Sequence, residues 1–247
     1  MSDFNRGYSG PATGSADMAV DAGLRRFMLG VYNKVALGLV LSAALAYVTS
    51  TVPAARDLLY RMIGDQPVGL TMLGTVVAFA PIGVLLIGQM AFKQTPRASG
   101  VIYWLVVALF GASLGSLAFR YSLGSIGTTF MITAAAFGAL SLVGYTTKKD
   151  LTAMGSFLIV GLFGVIIASV VNFFLNSSGL NFIISVIGVL IFAGLTAYDT
   201  QKLKLTYYHL GGDQASMAVA TNYGALNLYL DFLNLFLFLL RLTGGRR

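Results

Sequence analysis

Seven apolar runs, each about the length of a membrane-spanning helix, occupy most of this 247-residue chain. They lie near 27–49, 68–92, 99–119, 126–145, 151–175, 180–199 and 216–241. The breaks between them carry turn and charge residues: Pro53, the Arg56–Asp65 stretch, Lys93 to Arg97, Arg120, Lys148-Lys149-Asp150, Asn176 to Gly179, and Lys202 to Asp213. The bilayer core holds no water, so each run must be a helix or part of a closed barrel. Runs of about 20 residues without period-two alternation argue for helices. The chain reads as an all-α membrane protein with seven transmembrane helices. Composition agrees, since 57% of the residues are hydrophobic and only 10% charged, against roughly 25% charged in soluble domains. That excludes an ordinary soluble enzyme. With no cysteine there is no disulfide and no thiolate site.

Residues 1–24 are Gly, Ser, Asp and Asn-rich and read as a flexible cytosolic tail. Residues 25–247 form one seven-helix domain. The tail lacks a basic start and is followed by an apolar run of full span length, so a retained first helix is expected, not a cleaved signal. Counting Lys and Arg sets the orientation. Nine fall in the tail and the even-numbered loops and three in the odd-numbered loops, which puts the N-terminus in the cytosol. Seven spans then put the C-terminus outside, although it carries Arg241, Arg246 and Arg247. The last segment therefore either spans against the charge rule or is re-entrant. Gly111 and Gly115, and Ala134, Ala135 and Gly138, are expected to let helices approach closely.

Ionisable residues inside the runs carry the functional signal, because a mid-membrane carboxylate costs about 2.5–3.5 kcal/mol on insertion scales. Asp231 is the strongest. With Asn227 and Asn234 it makes an i, i+4, i+7 set on one helical face, which Tyr223 extends by a turn. The other faces are Leu, Phe and Ala, so this stripe must meet protein or a water-filled cavity. Asp199 ends the sixth run, three residues before Lys202. Lys34 lies within snorkelling distance of the interface. His209 is the only histidine, in a polar loop, and cannot build a metal site alone. No HExxH, GxSxG or P-loop occurs, so no catalysis is expected. The basic excess marks topology and implies no nucleic-acid partner.

The stretch from Gly111 to Leu151, GASLGSLAFRYSLGSIGTTFMITAAAFGALSLVGYTTKKDL, closely resembles the transmembrane Bax-inhibitor-motif family in its bacterial branch. Ala197-Tyr198-Asp199-Thr200-Gln201 and Tyr229-Leu230-Asp231-Phe232 with Asn234 match it too. The resemblance covers nearly the whole chain after residue 25. It implies seven helices with the last one central in the bundle, in a multi-pass protein of the bacterial inner membrane. It also implies a pH-sensitive calcium leak whose paired acids are Asp199 and Asp231, with Lys93 or Arg97 as a candidate latch. A glutamate found in the second helix of a relative has no counterpart, because this chain has no Glu.

Two carboxylates about 4 Å apart repel by about 4 kcal/mol at an effective dielectric near 20. Such a pair can share a proton at mildly acidic pH and separate when both ionise. Ionised, it would hold Ca²⁺ only weakly and in passing, as the transported ion and not as a resident cofactor, because calcium takes six to eight oxygens. The alternative is a non-transporting interaction or regulatory protein that modulates a membrane-anchored protease or a stress response. A third reading is a proton-coupled carrier that uses the same acids as a relay.

Overall fold

The computed structural model describes residues 13–64, 66–91 and 95–245. Helix α1 (Thr13–Thr51) is followed by the short α2 (Pro53–Leu59) and a two-stranded antiparallel hairpin, β1 (Tyr60–Ile63) and β2 (Gln66–Leu70). Then come α3 (Met72–Ala91), α4 (Pro96–Leu114), the single turn α5 (Leu117–Arg120), α6 (Leu123–Thr146), α7 (Thr152–Leu175), α8 (Ser178–Leu210) and α9 (Gln214–Thr243). Among the described residues, six helical stretches are long and apolar enough to cross a membrane, and α3 supplies a shorter apolar helix. Helix α1 begins at Thr13, ahead of the domain boundary expected at residue 25, and residues 1–12 of the expected tail lie outside the described residues. The hairpin went unforeseen. Its apolar residues Ile63 and Val68 are exposed, so nothing in the sequence separates it from the run that follows.

Interhelical contacts fix the directions. Gly38 of α1 meets Tyr103 of α4, Ser42 meets Gly111, and Thr49 meets Gly115, so α1 and α4 run parallel. The chain between them must therefore return the length of the bundle, and α3 does this. It lies antiparallel to α4, with Gly88 against Ile102 and the Val77 carbonyl 3.3 Å from the Ser113 hydroxyl. That second contact has a local cause. Pro81 lies inside α3 and has no N–H to give the carbonyl four residues back, which is Val77. The Ser113 hydroxyl stands at the acceptor that proline leaves free.

Helix α9 is one continuous helix of 30 residues, about 45 Å long. That is long and apolar enough to cross a membrane, which supports the spanning reading of the last segment. It runs parallel to α1, with Lys34 bonded to Asn222 and Ser42 to Tyr229, so its C-terminus lies at the far end of the bundle from the start of α1. It packs against α1, α4, α6 and α8, and 61% of its span is buried against 6% for α7. The last helix is thus the central one. Tyr229, Leu228 and Leu235 are fully enclosed, while Phe157, Phe173 and Phe174 on α7 face outward. In water that distribution would be untenable; in lipid the tails solvate the outer face, and small residues and hydrogen bonds hold the helices together.

Gly111 and Gly115 behave as expected. A Cβ at Gly111 would stand 2.6 Å from the Ser42 Cα, and one at Gly115 would stand 2.3 Å from the Thr49 hydroxyl. Ala135 and Gly138 do not. Both are exposed, and a Cβ at Gly138 would meet nothing within 4 Å. The close contact of α6 is made one and a half turns later, where Gly144 abuts the Ala197 backbone of α8.

Candidate functional site

Helices α8 and α9 form an antiparallel hairpin. Gly211 and Gly212 adopt left-handed φ values of 57° and 89°, which reverse the chain. Asp213 then caps α9 by accepting from the Ser216 N–H at 2.8 Å. The Ser216 side chain, and after it this N–H bond, holds the Asp213 carboxyl below the usual carboxylate range. The two helices press together at two glycines. A Cβ on Gly224 would lie 2.3 Å from Leu203 Cδ2, and one on Gly188 would lie 2.7 Å from the Phe238 ring.

Between those two contacts stand Asp199 of α8 and Asp231 of α9. Their carboxyl groups are within hydrogen-bonding reach of each other. An ionised carboxylate is acceptor-only, so a hydrogen bond between them would need a proton on one of the two. Asp231 is 5% exposed, and its Oδ2 has no hydrogen-bond partner among the described residues. A buried acceptor left unpaired costs about 1–3 kcal/mol or more, so its retention calls for a use.

The pair lies on the floor of a cleft of about 1050 Å³. Helices α8 and α9 make the floor, and α3 and α7 stand on either side with Phe79, Ile82, Phe173 and Phe174. Asn227 and Asn234 line the same cleft. The Asn234 amide nitrogen donates to the Leu230 carbonyl at 2.8 Å, which leaves its side-chain oxygen free as an acceptor. Two cations complete the lining. Lys202 lies one turn beyond Asp199 with its ammonium 5.9 Å from the centre of the Tyr198 ring, and the Arg241 guanidinium sits 5.2 Å from the Phe238 ring. The cleft thus sets carboxyl and amide oxygens on one wall between a positive charge towards each end and apolar sides. Among the described residues, no group of three or more His, Asp or Glu side chains is placed to hold a metal.

The other sequence candidates are dispersed. Tyr223 lines a separate cavity of about 360 Å³ near the α8–α9 turn. Arg97 lines another of about 450 Å³ between α3 and α4, away from the acids. Lys93 lies outside the described residues. His209 is exposed and contacts the Leu205 carbonyl through Nδ1 at 2.7 Å. Lys34 does not snorkel. Its ammonium donates to the Asn222 side-chain oxygen, and the Asn222 amide nitrogen donates to the Pro96 carbonyl at 3.0 Å and the Ser99 hydroxyl at 2.8 Å. This network joins α1, α4 and α9, and a partner within reach displaces the route to the interface. Sequence reasoning passed over Asn222, because its helical stripe was drawn through Asn227 and Asp231. It also read Arg241 only as a topology signal.

A family model described as inhibitor of apoptosis-promoting Bax1 matches residues 24–247. The chain is 62% identical to an uncharacterized protein of Caulobacter vibrioides, over 100% of both chains. It is 44% identical to the uncharacterized protein RP147 of Rickettsia prowazekii, over 95% of this chain and 96% of that one. It is also 40% identical to the inner membrane protein YbhL of Escherichia coli, over 92% of this chain and 94% of the relative.

Proposed function

This chain belongs to the family of inhibitors of apoptosis-promoting Bax1, and from that premise we propose that it is a pH-sensitive calcium leak of the bacterial inner membrane, gated by Asp199 and Asp231. Seven helices cross the bilayer in this reading, with the N-terminus in the cytosol. The observation that carries the proposal is the pairing of the buried Asp231 carboxyl with Asp199 on the floor of a cleft.

At mildly acidic pH one proton is shared between the two carboxyls and ties α8 to α9. When it leaves, two anions face each other at hydrogen-bonding distance. Their repulsion, about 4 kcal/mol at an effective dielectric near 20, loosens the tie. The same event supplies up to four carboxyl oxygens to a passing Ca²⁺, a hard cation that prefers oxygen. Asn227 and Asn234 add amide oxygens. Six side-chain oxygens from flexible positions make a transit site and not a trap. Downhill flux needs no reaction and no resident cofactor.

Calcium flux into liposomes carrying the purified protein tests this at pH 6 and pH 8, for wild type and Asp231→Asn. The wild type is expected to conduct more at pH 8. The asparagine keeps a permanent donor towards Asp199, so the variant is expected to hold a low flux at both values. Flux with an unchanged pH response in both Asp199→Asn and Asp231→Asn would sink the gate. No flux above empty liposomes, with folded protein, would move the assignment to a regulatory partner of a membrane protease.

A further inference from the structure

A second site lies on the opposite side of the bundle from the acid cleft, between α1 and α6. It is a groove of about 470 Å³ lined by Arg25, Met28, Leu29 and Tyr32 of α1 and by Phe137, Gly138, Ser141, Leu142 and Tyr145 of α6. Three observations make it a site and not a gap. The Ser141 side chain is 5% exposed, and its hydroxyl has no hydrogen-bond partner among the described residues. Most serines in these helices return their hydroxyl to a backbone carbonyl three or four residues back, as Ser113, Ser156 and Ser169 do; Ser141 does not. Arg25 is exposed at the mouth and makes no ion pair or hydrogen bond among the described residues. The floor is open at Gly138, where a Cβ would meet nothing within 4 Å.

The order of these groups along the helices is that of a phospholipid. Arg25 stands near the start of the apolar run of α1. Tyr145 stands at the matching end of α6, where Lys204 donates to its carbonyl at 3.0 Å. Ser141 is one turn, about 6 Å, further into the bilayer, and Leu29 and Leu142 offer apolar surface beside it. A phosphate at Arg25 gains a charge-assisted bond. An ester carbonyl, which sits just below the phosphate, is an acceptor for the orphan hydroxyl. The acyl chain follows the apolar wall.

We propose that the groove between α1 and α6 binds an anionic phospholipid of the leaflet nearest the start of α1, with Arg25 on its phosphate and Ser141 on an ester carbonyl.

Native mass spectrometry of the full chain, released from detergent with equimolar phosphatidylglycerol and phosphatidylcholine, tests this. Both lipids offer a phosphate, but the cationic choline of phosphatidylcholine is repelled by Arg25, so the first bound lipid is expected to favour phosphatidylglycerol by about tenfold. Arg25→Gln should bring that ratio close to one. Ser141→Ala should weaken the first binding of both lipids several-fold. Gly138→Leu, at a position where an added Cβ meets nothing within 4 Å, puts a side chain into the groove and should remove the first-site preference. Gly164→Leu, at a glycine of α7 equally free of neighbours, should leave it intact. Wild-type selectivity retained in Arg25→Gln and Gly138→Leu overturns the proposal. So does displacement of phosphatidylglycerol by millimolar inorganic phosphate, which would make this an ion site.

Discussion

Replacing Gly144 with alanine should separate α6 from α8 at the level of the acid pair. The added Cβ would stand 2.1 Å from the Ala197 carbonyl oxygen, 2.9 Å from its carbon and 3.0 Å from its Cα. These are backbone atoms on a regular helix, so no side chain can rotate out of the way. Restoring an ordinary contact requires the helices to part by more than about 1 Å, and overpacking of this kind costs about 1–3 kcal/mol. Gly138→Ala is the control, because its Cβ meets nothing. It should be neutral or stabilising by up to about 1 kcal/mol through helix propensity. For a chain of this size, each kcal/mol moves the melting temperature by about 2–4 °C. Gly144→Ala should therefore melt about 2–12 °C below wild type in detergent, while Gly138→Ala melts at or above it. Because Ala197 is two residues from Asp199, the same variant should also weaken the pH response of calcium flux. Equal melting temperatures for the two variants would refute the close approach of α6 and α8.

Asp199→Asn should mirror Asp231→Asn. A single shared proton allows at most about tenfold change in the open population per pH unit, so wild-type flux should rise by no more than about 100-fold from pH 6 to pH 8, and a steeper profile would require a further titrating group. Ser113→Ala removes the hydroxyl beside the carbonyl that Pro81 frees on α3. It should cost about 1 kcal/mol, read as a lower melting temperature that Pro81→Ala in the same chain restores. The Asp213 carboxyl is held below its unfolded value by the Ser216 side chain and N–H. Its contribution is therefore fully present above about pH 4 and is lost as pH falls through the folded value. The melting gap between wild type and Asp213→Ala should be flat above about pH 5 and close in stronger acid.

The helices were legible because the bilayer demands them: a run of 20 apolar residues has few other fates. Asp231 was legible for the same reason, since a carboxylate among leucines and phenylalanines on α9 must meet either another helix or a water-filled cavity. What escaped depends on which helices meet. The sequence places Tyr223 on the stripe of Asn227 and Asp231, but α9 is crossed by α8 near Gly224, and Tyr223 falls beyond that crossing into another cavity. Arg97 is near Lys93 in the chain, yet α4 turns it to the α3 side, away from the acids. Lys34 finds Asn222 across 188 positions, a partner that no local spacing announces. The small residues of α6 mislead for the same reason. Gly144 is pressed on a neighbour and Gly138 on none, though both lie in similar sequence.

Of the C-terminal arginines that conflict with the positive-inside count, Arg241 has a second structural setting. The count treats each cation as a marker of the cytosolic side. Arg241 is also part of a site, because it lines the acid cleft and lies over the Phe238 ring. Its position is therefore constrained by α9 and not only by topology. Helices α1 and α9 run parallel, joined at Lys34 with Asn222 and at Ser42 with Tyr229. The two ends of the helical body consequently face opposite ways, and α3 is the segment on which this depends. Without its return the parallel pair α1 and α4 could not be connected. Arg241 lines the same cleft as the two acids. In the leak proposed above, an ion drawn to Asp199 and Asp231 from that end would pass Arg241, whose charge would slow entry and keep the leak small. Arg241→Gln should accordingly raise calcium flux at pH 8 while leaving its pH response in place. A fall in flux would show that the guanidinium holds the cleft open instead of guarding it.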